Sequence, residues 1–171
     1  AVLIEVNPTK GLVEIWNGGL PDVMILGRQG ELLERVTSTN LPLGVASRER
    51  FSPDPKVLVM HPGERLLCWT DGVIETRNGA GQLFGDAGVL RVIDAHKGEP
   101  EQVFDGLLSA LSQFHGSPED DVSLLQVVMP ERDHLPAPQP QPLTAAMDAQ
   151  QDWRLSYTFR AQAIRGQNPL P

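Results

Sequence analysis

Short apolar runs alternate with turn residues through the first 70 positions of the chain. Ala1 to Val6 and Gly11 to Trp16 are rich in Val, Ile and Leu, with Asn7-Pro-Thr-Lys between them, a pattern that predicts a β-hairpin. "NGGLPD" (Asn17 to Asp22) reads as a second turn, leading to a strand over Val23 to Leu26. "GRQGE" turns the chain again before Leu32, and "LPLG" (Leu41 to Gly44) is a loop with a fixed Pro. Lys56 to Met60 and Arg65 to Trp69 are two further strands about the turn "HPGE". The expectation for this part is antiparallel β with tight turns.

The period then changes. From Asp86, apolar residues fall at Val89, Leu90 and Ile93, which suits one face of a helix. From Pro100 they fall at Val103, Phe104, Leu107, Leu108, Leu111 and Phe114, the stripe of an amphipathic helix with Pro in its first turn. "HGSPEDD" interrupts it. Val122 to Met129 is apolar but for one Ser and one Gln and reads as a buried strand.

Beyond Met129 the composition shifts. Pro130, Pro136, Pro138, Pro140 and Pro142 fall close together, and such a segment propagates neither helix nor central strand, so 130–151 is expected to be an extended linker. In 152–171 the alternation of Trp153, Leu155, Tyr157 and Phe159 with polar residues predicts a half-buried strand, the first element of a further domain. The chain opens directly on strand-like sequence without Met and stops without a closing element; both ends are expected to be cut from a longer protein.

Composition narrows the function classes. The formal net charge is -8, the wrong sign for binding nucleic-acid phosphates. No apolar run approaches the roughly 20 residues that span a bilayer, and no basic-then-apolar leader is visible, so no membrane partner and a cytoplasmic setting are expected. Cys68, the single cysteine, sits in an apolar run as a small core residue. His61, His96, His115 and His134 are scattered and lack zinc-ligand spacing. Phosphate-binding glycine loops and a nucleophile elbow are absent.

Two acidic sites remain. In "CWTDG", Asp71 stands where an apolar run ends, and Gly72 permits a sharp turn. In "EDDVSLLQVV", Glu119, Asp120 and Asp121 immediately precede the last strong strand. Each alone reads sooner as an ordinary polar turn than as a metal site. Together they place carboxylates at the ends of the two most apolar strands. If those strands are neighbours, about 4.8 Å apart, Asp71 and Asp120 face one cleft, and paired carboxylates without Cys or His suit a hard cation, Mg²⁺ or Mn²⁺.

The ordered set "WNGGLPD", "LPLG", "HPGERLLCWTDGVIETRNGAGQLFG", a helix and "EDDVSLLQVV" resembles the C-terminal half of PPM-type protein phosphatases, and more narrowly their bacterial SpoIIE/RsbU branch. The likeness runs over 1–129. It implies an α+β fold: part of an αββα sandwich, with antiparallel sheets and flanking helices. It implies a two-metal Mn²⁺ or Mg²⁺ site in which Asp71 is a ligand and Asp120 another, with Asp121 the less favoured of its pair and Gly72 supporting the turn. Ser123 stands where Thr is more usual. Metal-activated water then attacks phosphorus in line and no side chain is phosphorylated, so no residue of this chain is assigned a catalytic role beyond the ligands.

The resemblance also implies that the remaining ligands belong to an N-terminal half not found in this sequence. The chain alone is therefore expected to be inactive, and a homodimer is one way to cover its open sheet edges. The implied partner is a phosphoserine or phosphothreonine protein of the anti-sigma-factor antagonist type. The tail resembles the entry to a histidine-kinase-like ATPase domain, as in bacterial response regulators with a phosphatase output. The competing reading is a catalytically incompetent phosphatase-like adaptor that binds a sigma or anti-sigma factor.

Overall fold

The computed structural model describes residues 1–45, 51–114, 122–131 and 160–164. Two antiparallel sheets carry the fold. In the smaller, β1 (Val2–Asn7) pairs with β2 (Leu12–Asn17), and β5 (Lys56–Val59) takes the other side of β2. In the larger, the order is β4 (Leu32–Val36), β3 (Val23–Leu26), β6 (Arg65–Trp69), β7 (Val122–Val128) and β8 (Arg160–Ile164). The predicted strands through β7 are all present, with ends moved by a residue at most.

The strand alternation sorts side chains into two cores. Val13 and Ile15 of β2 meet Val23, Ile25, Leu66, Cys68 and Val127 between the sheets. Met24, Leu26, Leu67, Trp69 and Leu124 point the opposite way, against the helices. Both faces of β3 and β6 are thus covered, which is why these strands read as unbroken apolar runs. The ion pair of Lys56 with Glu34 joins β5 to β4, one strand from each sheet.

The helices are α1 (Asp71–Glu75), α2 (Gly85–Ala95) and α3 (Val103–Phe114), the last entered through a 3₁₀ turn over Pro100–Gln102. The helix predicted from Pro100 therefore begins as a tighter turn, since Pro lacks the N–H that a regular helix would bond but suits a first turn. Val89, Val92 and Ile93 of α2 and Val103, Phe104, Leu107 and Leu111 of α3 fill the helix-side core. The two helices approach closely where α3 carries Gly106: a Cβ there would lie 2.5 Å from the ring of His96.

Opposite the helices, the outer face of the smaller sheet carries Leu3, Val57 and Val59, all exposed. Trp16, on that same face, is nonetheless buried. Phe51 packs on its ring at a centroid distance of 5.7 Å, and its indole N–H donates to Ser52 O at 2.8 Å. Among the described residues, no helix is long and apolar enough to cross a membrane.

The strand at the far end of the chain is Arg160–Ile164, running antiparallel beside β7 with Val122 opposite Ile164 and Gln126 opposite Arg160. The alternation at Trp153, Leu155, Tyr157 and Phe159 lies outside the described residues, as do the prolines beyond Glu131 and residues 115–121.

Candidate functional site

The end of β6 is the place where the fold delivers its carboxylate. Leu66, Leu67, Cys68 and Trp69 are all buried, so the strand is gripped from both sides up to its last residue. Thr70 follows with extended backbone, φ -80° and ψ 161°, and is the N-cap of α1. Asp71 is the first residue of that helix and is exposed. A carboxylate in a first helical turn is favoured by the positive end of the helix.

The chain does turn away after Asp71, but as a turn of helix. Gly72 is buried and helical rather than the pivot of a tight β-turn, and the left-handed glycines nearby are Gly81 (φ 77°) and Gly85 (φ 59°). The reason is the anchoring of α1: Val73 is fully buried in the helix-side core, Val73 N–H donates to Thr70 O at 3.1 Å, and Thr76 Oγ1 donates to Gly72 O at 2.6 Å. One apolar anchor and two local hydrogen bonds hold five residues that would be unstable as an isolated helix.

The strands that bear the two acidic sites are neighbours. β6 and β7 are antiparallel, with Arg65 opposite Val128 and Trp69 opposite Leu124, so the end of β6 lies beside the beginning of β7. The pairing continues past the strand: Thr70 N–H donates to Ser123 O at 3.0 Å, and Ser123 N–H donates to Thr70 Oγ1 at 3.0 Å. Asp120 and Asp121 lie outside the described residues; Val122, the residue after them, begins β7.

Whether a cation fits can be judged from the donors. Asp71 Oδ1 accepts from the N–H of Gly72 at 3.2 Å, and the carboxylate is otherwise open to solvent. Asp22 is at the same end of the sheet, but its carboxylate is held by Arg35 at 2.8 Å, and the same guanidinium reaches Asp86 at 3.3 Å. Among the described residues, no three His, Cys, Asp or Glu side chains converge. Asp71 offers an oxygen donor of the kind that suits a hard cation, and among the described residues no second carboxylate joins it with one further donor to make a cluster of three. Cys68, within β6, faces the inter-sheet core, where burial pushes its thiol from 9.0 up to about 11; it is an inert packing group.

Residues 1–130 match the family model described as stage II sporulation protein E (SpoIIE). The chain belongs to the SpoIIE family. Protein IcfG of Synechocystis sp. is similar to it, 28% identical over 124 residues; these make up 71% of this chain and 19% of IcfG, so the chain spans about a fifth of that relative. Two solved structures share its fold. The SiaA-PP2C domain of Pseudomonas aeruginosa superposes with a TM-score of 0.59 at 16% identity, over 73% of this chain and 49% of that one. The phosphatase domain of the cell fate determinant SpoIIE from Bacillus subtilis does so with a TM-score of 0.54 at 18% identity, over 85% and 61%. This SpoIIE-family chain thus has an α+β fold of antiparallel sheets with helices that is similar to part of those two phosphatase domains.

The pairing of Thr70 with Ser123 escaped the sequence reading, which marks Ser123 only as standing where Thr is more usual. Their one signal was position, each being next to a predicted acidic site; that they bond to each other depends on strand register, which composition does not encode.

Proposed function

We propose that this SpoIIE-family domain removes phosphate from a phosphoserine or phosphothreonine protein, using two divalent cations, Mn²⁺ or Mg²⁺. The observation that supports this reading is the antiparallel register of β6 and β7, which sets the end of β6, with Asp71 two residues beyond Trp69, beside the beginning of β7 at Val122. Asp71 would hold a cation directly, and Asp120, with Asp121 as the lesser candidate, would supply a second carboxylate from the sequence just before β7. When bound, such cations neutralise phosphate oxygens and activate water. The protein's part is to hold the carboxylates rigidly: Asp71 is fixed by a buried strand behind it and by Val73 ahead of it. The remaining ligands are assigned to the half of the domain that this chain does not share with its solved relatives.

The substrate is of the anti-sigma-factor antagonist type, and the setting is the output of a bacterial partner-switching or two-component regulator; the domain order of such regulators and the resemblance of 152–171 to an ATPase entry support this. A second reading, an adaptor without catalysis, is supported by the lack of any convergence of three His, Cys, Asp or Glu side chains among the described residues. The two are separated by measuring phosphate release from a phosphoserine peptide, with Mn²⁺, by a protein carrying the complete domain. Release that Asp71→Asn abolishes supports the enzyme. No release from the intact domain, with retained affinity for a sigma or anti-sigma factor, supports the adaptor.

A further inference from the structure

The residues of β7 bond alternately to one side and the other, and contacts at both ends fix the phase. At its start, Thr70 N–H donates to Ser123 O and Ser123 N–H donates to Thr70 Oγ1, so Ser123 bonds on the β6 side. Just past its end, Met129 N–H donates to Glu64 O at 2.9 Å and Gly63 N–H donates to Met129 O at 2.8 Å, again on that side. Between them the register with β6 runs unbroken from Leu124 to Val128. The odd-numbered residues therefore bond toward β6, and Val122, Leu124 and Gln126 present their N–H and C=O groups at the opposite edge. All three residues are buried, so those groups need partners. The sequence of this strand, VSLLQVV, offers no charge and no Pro to deter pairing at that edge. Among the described residues, the other edge strands do carry charge: Glu5 on β1, Glu34 and Arg35 on β4, and Lys56 on β5.

We propose that the outer edge of β7 is a strand-docking surface, that this chain's own Arg160–Ile164 occupies it as a detachable cap, and that the cap keeps two copies from pairing β7 to β7. The register supplies the fit. Val122 lies opposite Ile164, Leu124 opposite Gln162 and Gln126 opposite Arg160, and these are the three pairs whose backbone groups face each other. The family match ends at residue 130, so the cap comes from outside the matched domain and is tethered to it through 132–159. Closing such a loop costs an entropy that grows only slowly with its length, so the tethered strand outcompetes a free one. A second copy is the alternative occupant because β7 set antiparallel against β7 is self-complementary about a twofold axis. The inference does not depend on the phosphatase reading.

The test compares the full chain with Gln162→Pro and Ala163→Pro by amide hydrogen exchange and by sedimentation equilibrium over a range of concentrations. Gln162→Pro removes an N–H that faces Leu124, whereas the N–H lost in Ala163→Pro points away from β7, where an edge strand tolerates Pro. The Leu125 amide, which bonds toward β6, reports whether the sheet itself persists. The unmodified chain and Ala163→Pro are expected to be monomers with Leu124 protected. Dilute Gln162→Pro is expected to keep protection at Leu125 and lose it at Leu124. On concentration it should reach twice the monomer mass and regain protection at Leu124. Equal protection of Leu124 in dilute Gln162→Pro and the unmodified chain would overturn the cap, and an equal loss in Ala163→Pro would overturn the bonding direction it rests on. Loss of protection at Leu125 as well would show that 160–164 is integral to the sheet and not detachable. A Gln162→Pro protein that stays monomeric at every concentration would overturn the pairing of copies.

Discussion

Trp69 lies directly opposite Leu124 across β6 and β7. Both are buried and face the helix-side core, and each stands two or three residues from an acidic position: Asp71 follows Trp69 by two, and Asp121 precedes Leu124 by three. One cross-strand pair thus ties core packing to the candidate site. The sheet end is rigid because its interior neighbours are fully packed, and the carboxylate is exposed because the strand stops there.

Leu67 is fully buried at the centre of the larger sheet, between Met24 and Gln126 on the flanking strands. Leu67→Ala leaves a cavity beneath α2 and α3 and is expected to destabilise the domain by about 2–5 kcal/mol. Urea unfolding followed by tryptophan fluorescence measures it; a loss well under 1 kcal/mol would mean that the helix layer collapses onto the gap.

Gly106→Ala places a methyl 2.5 Å from the His96 ring and is expected to cost about 1–3 kcal/mol through overpacking. In a His96→Ala background the clash is gone, and alanine's helix preference makes the same change favourable by up to about 1 kcal/mol. Thermal melts of the four proteins form the cycle, and equal costs in both backgrounds would contradict the contact.

Cys68 holds its proton more tightly folded than unfolded, since burial raises the thiol from 9.0 to about 11. The linked stability is fully present below pH 9.0 and is lost as pH rises through about 11. At pH 8 the native protein should resist a thiol-specific disulfide reagent and react only after denaturation. Prompt reaction of the native protein would show that the inter-sheet core opens.

Arg35 bridges Asp22 and Asp86 at 2.8 and 3.3 Å and so joins the larger sheet to the first turn of α2. All three side chains are partly exposed, and exposed pairs contribute at most about 1 kcal/mol each. Arg35→Met should therefore lower the melting temperature slightly, by an amount that shrinks in high salt. A salt-independent loss of several kcal/mol would mean that the aliphatic stem of Arg35, rather than its charge, holds the contact.

The strands were legible because each is short, apolar and bounded by turn residues, and α3 because its stripe at Val103, Phe104, Leu107 and Leu111 persists for three turns. α1 was not legible: five residues cannot display a helical period, and Asp71-Gly72 carries the chemistry of a turn. Its helicity comes from Val73 reaching a core built by other elements. Trp16 was similarly hidden, since the Phe51 that covers it is 35 positions away in the chain. Of the candidate site, the residue types and strand ends could be read directly; the neighbouring of β6 and β7 was a condition that only the fold could satisfy, and the bonds between Thr70 and Ser123 could not be read at all.

In the proposed site, Asp71 and the acidic pair Asp120 and Asp121 hold a divalent cation between them. Calorimetric titration of Mn²⁺ into this chain, beside Asp71→Asn, Asp120→Asn and Asp121→Asn, tests it most directly. The expected result is saturable binding that Asp71→Asn and Asp120→Asn each abolish and Asp121→Asn weakens least, with the melting temperature of Asp71→Asn nearly unchanged because it removes an exposed charge and no core contact. Binding that is indifferent to Asp71 and Asp120 would contradict it.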